Sequence, residues 1–495
     1  MNLRLTRRLL LSSCLRCCLA ALAVCLAAAG PAEAAAPASS IASLIARLGF
    51  AKAEVGFILA DVQSGKILES QSADQLFMPA SVAKLATAYA AVKILGADYR
   101  FTTALYRRGN DIYLRGGGDP VLTANDLQKL ALQLQANRPA GKNGRFFFDD
   151  TLMAALPEVS ATQPIATPYN AGFGALNVDF NRIEVIWSKS ADGVPLFQTR
   201  SIAEGLILPC DWIAFAPADE ALPPGAPFVY DGGSDHERWR YAGYLPAQGN
   251  TFLPVRSPSL QTALLFRQLA LSAGIALPPP EPGHVPANAA EIAIVQSPAL
   301  TEILGGLLRY SNNMEAELIG LAVSRRLTGK ALPLKESSAA LSQWLTQQVA
   351  GTDWHGLRME NHSGLSPDNR ISPSQMLALL QLIAAEPALM TVLPQRDDDG
   401  DIAEPMTKTA AGPVTRAITG KTGTMDYARG LAGFFPARDG RLLAFAIFVF
   451  DGKRRAALDA AMDRRVTDSP PVAIAWTHRA KSLDNAMLKT WMKKY

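Results

Sequence analysis

The feature that most constrains how this chain can fold is an interruption. A strand-and-helix pattern starts near residue 54 and breaks off near 100. It resumes only beyond a run of prolines, Leu277-Pro278-Pro279-Pro280-Glu281-Pro282-Gly283. Before the break, an apolar run at 55–60, the turn Ser64-Gly65-Lys66 and Ile67-Leu68 read as a hairpin. Pro79-Ala80-Ser81 then opens a helix carrying Val82, Leu85, Ala86, Tyr89, Val92 and Ile94, with Gly96 as its stop. From about 100 to 275 the pattern changes to short strand-like pieces at 104–106, 146–148 and 182–187. Gly116-Gly117-Gly118-Asp119-Pro120 and Pro223-Pro224-Gly225 punctuate them. Helical patterning returns over 298–349, and apolar runs at 431–435 and 442–450, joined at Asp439-Gly440, predict a closing hairpin. We find no internal repeat. The expected architecture is α/β (α+β), an antiparallel sheet flanked by helices. It is assembled from 36–100 and 285–495, with 101–284 as a β-rich insertion of one or two nested domains. The proline run is expected to be a linker.

Charge excludes one class of partner. The 495 residues hold 48 Lys+Arg and 44 Asp+Glu, a formal +4, far from the basic excess of a nucleic-acid binder. Arg4, Arg7 and Arg8 form a basic start, and 9–30 is apolar apart from Ser12, Ser13 and Arg16. Ala32-Glu33-Ala34 supplies a small-x-small cleavage site. Residues 1–35 are therefore expected to be a cleaved signal peptide, and the mature protein to be exported, periplasmic and soluble. Without those residues the formal charge is +1. Cys14, Cys17, Cys18 and Cys25 leave with the leader, so Cys210 alone remains and has no partner for a disulfide. His236, His284, His355, His362 and His478 show no ligand spacing. The acidic run Asp397-Asp398-Asp399-Gly400-Asp401 has Lys408 where a calcium loop needs a glutamate. No metal and no other cofactor is implied.

Three short motifs can do chemistry. In Ser81-Val82-Ala83-Lys84 the two polar residues are three apart, so on a helix they share a face. An amine kept partly neutral by burial can take the serine proton and make the hydroxyl a nucleophile. Ser311-Asn312-Asn313 heads a helix; Ser311 can relay a proton, and the Asn313 amide can bond both Lys84 and a substrate carbonyl. Lys421-Thr422-Gly423-Thr424, at the edge of a predicted strand, offers a cation and two hydroxyls for a carboxylate. Gly423 there lets a substrate backbone approach closely. A phosphate-binding loop is excluded, because Thr415 stands where its first glycine would be.

The order Ser-x-x-Lys, Ser-x-Asn, Lys-Thr-Gly is that of the penicillin-recognising serine acyl enzymes. The chain resembles their D-alanyl-D-alanine carboxypeptidase/endopeptidase branch, low-molecular-mass penicillin-binding proteins with domains inserted between the first two motifs. The likeness covers 79–87, Gly116-Gly117-Gly118-Asp119-Pro120 and Ala175-Leu176-Asn177-Val178-Asp179-Phe180-Asn181. It continues through 311–317, Ser363-Gly364-Leu365-Ser366 and 420–424. The 226 residues between Lys84 and Ser311 fit such insertions, and no Glu-x-x-Leu-Asn of class A β-lactamases occurs. The resemblance implies a penicillin-binding/β-lactamase-like transpeptidase domain acting on peptidoglycan stem peptides and cross-links, with β-lactams as covalent inhibitors. It implies Ser81, Lys84, Ser311 and Asn313 as catalytic residues and Lys421, Thr422, Gly423 and Thr424 as substrate-binding ones. The backbone N–H groups of Ser81 and Thr424 would form the oxyanion hole. Two departures stand out. Asn361-His362-Ser363-Gly364 replaces the Asp-Gly-Ser-Gly frequent in relatives. The segment 158–170 has no aspartate where some relatives read the stem-peptide diamino acid, only Glu158.

Leu483, Met487, Leu488, Trp491 and Met492 recur at helical spacing near the C-terminus among Lys481, Lys489, Lys493 and Lys494. Packing against the catalytic unit is the favoured reading, and peripheral membrane contact the other. Two further functional readings are a β-lactamase and a non-catalytic wall-binding or β-lactam-sensing protein. Oligomeric state is not legible.

Overall fold

The computed structural model describes residues 40–137, 144–223, 225–233, 236–396, 417–467 and 469–495. The leader 1–35 and the acidic run 397–401 lie outside the described residues. The two ends of the chain build one antiparallel sheet of six strands. Its order is Gln395–Arg396, Ile418–Met425, Ala428–Pro436, Leu442–Phe450, Val55–Asp61 and Ile67–Gln71. The hairpins expected at 54–70 and 431–450 are therefore neighbours, with Val55 opposite Val449 and Asp61 opposite Leu443.

Successive side chains of a strand point to opposite faces, so a strand apolar at every position needs cover on both sides. Val55, Phe57 and Leu59 share one apolar layer with Ile41, Leu44 and Trp476, Leu483, Met487 and Trp491 of the helix Pro471–Lys494. Ile58 and Ala60 face the other layer, with Val82 and Leu85, Leu304 and Leu307, and Met376 and Leu380 from three helices. The C-terminal helix thus spends its apolar stripe on the sheet, and its end is tied down by Lys494 Nζ and Trp491 Nε1, both donating to Glu69. Among the described residues no helix is long and apolar enough to cross a membrane.

The intervening region carries three sheets around one apolar cluster. A five-stranded sheet runs Pro280–Pro282, Phe146–Asp149, Asp111–Arg115, Thr102–Arg108 and Ala290–Gln296. Four-stranded and three-stranded sheets follow from Arg182–Lys189 to Gln248–Pro254. Two expectations are corrected here. The proline run is not a free linker: Pro280–Pro282 pairs in parallel with 146–148, and prolines are tolerated because this is an edge strand. The boundary expected at 284/285 cuts through that sheet, since Ala290–Gln296 pairs with Thr102–Arg108. The region is β-rich, as expected, and also holds helices Ala124–Ala136 and Pro258–Ser272, which pack into its core through Leu127, Leu130, Leu134, Leu265, Phe266 and Leu269. Cys210 is buried in the same core, and burial pushes its thiol up to about 12, which removes it as a nucleophile.

Candidate active site

The first motif sits where the chain turns from Pro79 into helix. Ala80 takes a left-handed φ of 48°, residues Ala80–Ala83 form a 3-10 turn, and the α-helix Lys84–Ile94 continues from it. Lys84 is fully buried. Its Nζ lies 3.0 Å from Ser81 Oγ, 2.8 Å from Asn313 Oδ1 and 2.7 Å from the Ser363 carbonyl oxygen. Burial pulls the amine down to about 7, against the opposing pull of Glu317 and Glu315. A neutral amine has two N–H bonds and one lone pair. With both N–H bonds donated to Asn313 and Ser363, the lone pair is left for the Ser81 hydroxyl, which then donates to it. The two acceptors thus hold the amine in the orientation a general base needs.

The second motif joins two helices. Ser311 caps the end of Leu300–Tyr310 with φ 59°, a conformation uncommon outside glycine, and Asn312 caps the start of Asn313–Thr328 by accepting from Glu315 N–H at 3.3 Å. That double cap turns Ser311 and Asn313 toward the first motif. Asn313 does bond Lys84 as expected, but one N–H of its amide donates to the Tyr169 carbonyl oxygen at 3.2 Å. Tyr169 belongs to the inserted region, so the insertion helps to complete the site.

A fourth element was not expected from the motifs. The turn 361–364 presents the Ser363 carbonyl to Lys84, and it is held from below by Glu317. One carboxylate oxygen of Glu317 accepts from His362 N–H at 2.8 Å and the other from Ser363 N–H at 3.0 Å. Thr87 Oγ1 donates to the His362 carbonyl at 2.7 Å. The imidazole that departs from the family pattern is buried against Ser337 Oγ at 2.8 Å, in space that a side chain at Gly320 would fill. Burial lowers His362 to about 3, so it is neutral. Burial also raises Glu317 to about 7 and Glu315 to about 8. Glu317 follows Asn313 by one helical turn, an acid on an otherwise apolar face, and that is the signal by which the sequence could have flagged it. Glu317→Gln sets an amide donor against one of two backbone donors. We expect β-lactam acylation to slow by about 10- to 100-fold. Its pH midpoint should move down, because a negative charge beside Lys84 is lost; stopped-flow acylation across pH checks both.

The third motif lies on Ile418–Met425, which at 421–424 pairs, among the described residues, with Ala428–Pro436 alone. Thr424 is exposed, whereas Lys421 is buried and donates from Nζ to the Thr422 carbonyl at 2.8 Å. Burial, then Lys84, Arg396 and Arg429, hold Lys421 well below the usual lysine range. Arg429, cross-strand from Thr424, donates to Thr424 Oγ1 at 2.9 Å and to Asp484 of the C-terminal helix at 2.7 Å. Gly423 meets a further constraint: a Cβ there would lie 2.5 Å from the Pro79 carbonyl oxygen and 2.7 Å from Ser81 N. The glycine admits the turn at Pro79 and Ser81. Gly423→Ala should push the strand and that turn apart, costing about 1–3 kcal/mol of stability. A lower thermal midpoint together with slower acylation is the expected result.

These parts open on one cavity of about 370 Å³, whose lining includes Ser81, Ser311, Asn313 and Thr424 together with Tyr169, Gly364 and Leu365. Lys84 and Lys421 are buried behind it. Glu158 is held by Arg465 at 2.9 Å and Arg256 at 3.6 Å. Among the described residues no cluster of three His, Cys, Asp or Glu side chains could hold a metal.

Comparison with known proteins gives the same frame. The chain is 30% identical over 434 residues to a D-alanyl-D-alanine carboxypeptidase of Actinomadura sp. (strain R39), across 79% of this chain and 77% of that one. It is 23% identical over 420 residues to the D-alanyl-D-alanine carboxypeptidase DacB of Haemophilus influenzae, across 80% and 85%. The solved structure of penicillin binding protein 4 (dacB) from Haemophilus influenzae superposes with a TM-score of 0.69 at 19% identity, covering 90% of this chain and 99% of that chain. A complex of that protein with a β-lactam gives 0.68. A family model matches residues 38–468, from the first strand through the three motifs to the segment beyond the sheet, and by that match the chain belongs to the D-Ala-D-Ala carboxypeptidase 3 (S13) family.

Proposed function

We propose that the protein is a serine-type D-alanyl-D-alanine carboxypeptidase that also cleaves D-alanyl cross-links of peptidoglycan, working through an acyl-Ser81 intermediate. One observation carries the reading: two carbonyl acceptors fix the buried Lys84 amine so that its remaining position meets the Ser81 hydroxyl. In this account Lys421, Thr422 and Thr424 take the terminal carboxylate of the peptide. A bound carboxylate favours the charged form of Lys421, which burial otherwise disfavours. Lys84 removes the Ser81 proton as Oγ attacks the penultimate D-Ala carbonyl, and the N–H groups of Ser81 and Thr424 stabilise the oxyanion. The C–N bond breaks, a proton relayed through Ser311 goes to the departing D-Ala amine, and water then hydrolyses the ester. β-Lactams acylate the same hydroxyl. The catalytic unit comprises 36–100 and the chain beyond Gln296, and the leader 1–35 sends the protein to the periplasm.

The test is release of the terminal alanine from a peptide ending in D-Ala-D-Ala, against release of the terminal alanine from the same peptide ending in D-Ala-L-Ala. Release from the first alone supports the proposal; equal release from both, or none, contradicts it.

A further inference from the structure

A second cavity, of about 600 Å³, lies in the inserted region and shares no lining residue with the active-site cavity. Five of its lining residues are prolines, which have no N–H, and Phe148, Leu156 and Leu264 add apolar side chains. Its hydrogen-bond donors are concentrated in the segment 256–260. Arg256 is 5% exposed. Its Nη1 donates to the Pro157 and Asn170 carbonyl oxygens at 2.8 and 2.9 Å, with Glu158 at 3.6 Å. Nε and Nη2 are buried and have no hydrogen-bond partner among the described residues. Those two nitrogens form the side-on edge of the guanidinium, which takes a carboxylate through two parallel hydrogen bonds. Burial pulls the group down to about 10, which leaves it charged at neutral pH.

The residues that follow add donors. Ser259 is 6% exposed, and its hydroxyl also has no partner among the described residues. It stands in the first turn of the helix Pro258–Ser272, whose start has no side-chain cap. The N–H groups of Ser259 and Leu260 have no partner within the helix, and its dipole favours negative charge there. Glu237 does not reach them: its Oε1 accepts from Arg256 N–H and Ser257 N–H, which precede the helix. Buried donors left unpaired are costly, and folded proteins keep few of them. Three on adjacent lining side chains mark the place of an acceptor that the protein does not supply. The half-buried Asp150 lines the same cavity. An inorganic anion would meet that charge with nothing to offer it. A carboxylate joined to an N–H donor and an apolar body suits Asp150, the donors and the apolar wall together.

We infer that this cavity binds the free carboxylate end of an acylated amino acid or short peptide with an apolar side chain, the carboxylate resting on Arg256 and Ser259. The inference does not rest on the function proposed above. Calorimetric titration of the purified protein with N-acetyl-L-phenylalanine, and with the corresponding C-terminal amide, tests it. The same titrations are run on Ser259→Ala, Arg256→Gln and Ala155→Trp. Ala155 is exposed and lines the cavity, so the tryptophan fills the space without entering the core. The wild type should bind the acid with a Kd of about 1 mM or tighter, and the amide at least about tenfold more weakly. Ala155→Trp and Arg256→Gln should each weaken binding of the acid by at least about tenfold, and Ser259→Ala by at least about threefold. Because Arg256 is buried, its variant counts only if it melts as the wild type does; the serine and tryptophan variants decide without it. No binding of the acid, or equal binding of acid and amide, overturns the site. Binding of the acid that is unchanged in Ala155→Trp and Ser259→Ala overturns its placement in this cavity.

Discussion

Replacing Lys84 with methionine is expected to slow acylation of Ser81 by about 10²- to 10⁴-fold, the share that a positioned general base supplies. The wild-type pH profile should have a defined sign. The base acts only when neutral, and burial sets its amine at about 7. Acylation should therefore fall as pH drops below that value and level off above it. The methionine variant should lose this dependence along with the rate. Methionine fills the space of the fully buried Lys84 stem, and the hydrogen bonds lost inside the fold are those to Asn313 and Ser363, so thermal melting should stay within a few degrees of the wild type. A variant that melts normally and acylates at the wild-type rate would remove Lys84 from the mechanism.

Ser81→Ala should abolish D-alanine release, a loss on the order of 10⁶-fold as for other nucleophile deletions. The fold should survive it. Ser81 is only partly buried, and Lys84 keeps its bonds to Asn313 and Ser363 when the hydroxyl is gone. The two variants separate two roles: the alanine variant has a base without a nucleophile, and the methionine variant a nucleophile without a base. Residual activity in the first would mean that another group attacks the substrate.

How much of this was legible in the sequence depended on whether a contact is local or distant. Ser81 and Lys84 are one helical turn apart, so their spacing already stated their geometry. Asn313 and Lys421 could be tied to that pair only by the order of their motifs, since folding brings them together from 229 residues away in the first case. The Ser363 and Tyr169 carbonyls were not legible, because any residue type presents the same backbone oxygen. Arg429 was within reach: strand register around the 425–428 turn sets it opposite Thr424, but an arginine in an apolar strand draws attention only once Asp484 is seen to neutralise it. In the inserted region Thr123 and Asp126 cap the helix Ala124–Ala136 and Leu127, Leu130 and Leu134 line its inner face, a helical signal outweighed by the surrounding glycines and prolines. The proline run was misjudged because proline content signals a missing donor, and an edge strand can do without one.

The central claim is that Ser81 is the nucleophile of a long-lived acyl enzyme. Its most direct test is the intact mass of the protein after incubation with benzylpenicillin, followed by mapping of the modified peptide. The account predicts one stable adduct per chain, located on Ser81 and absent from Ser81→Ala. An adduct that persists in that variant, or rapid loss of penicillin with no adduct on the wild type, would contradict it, the latter outcome marking a β-lactamase.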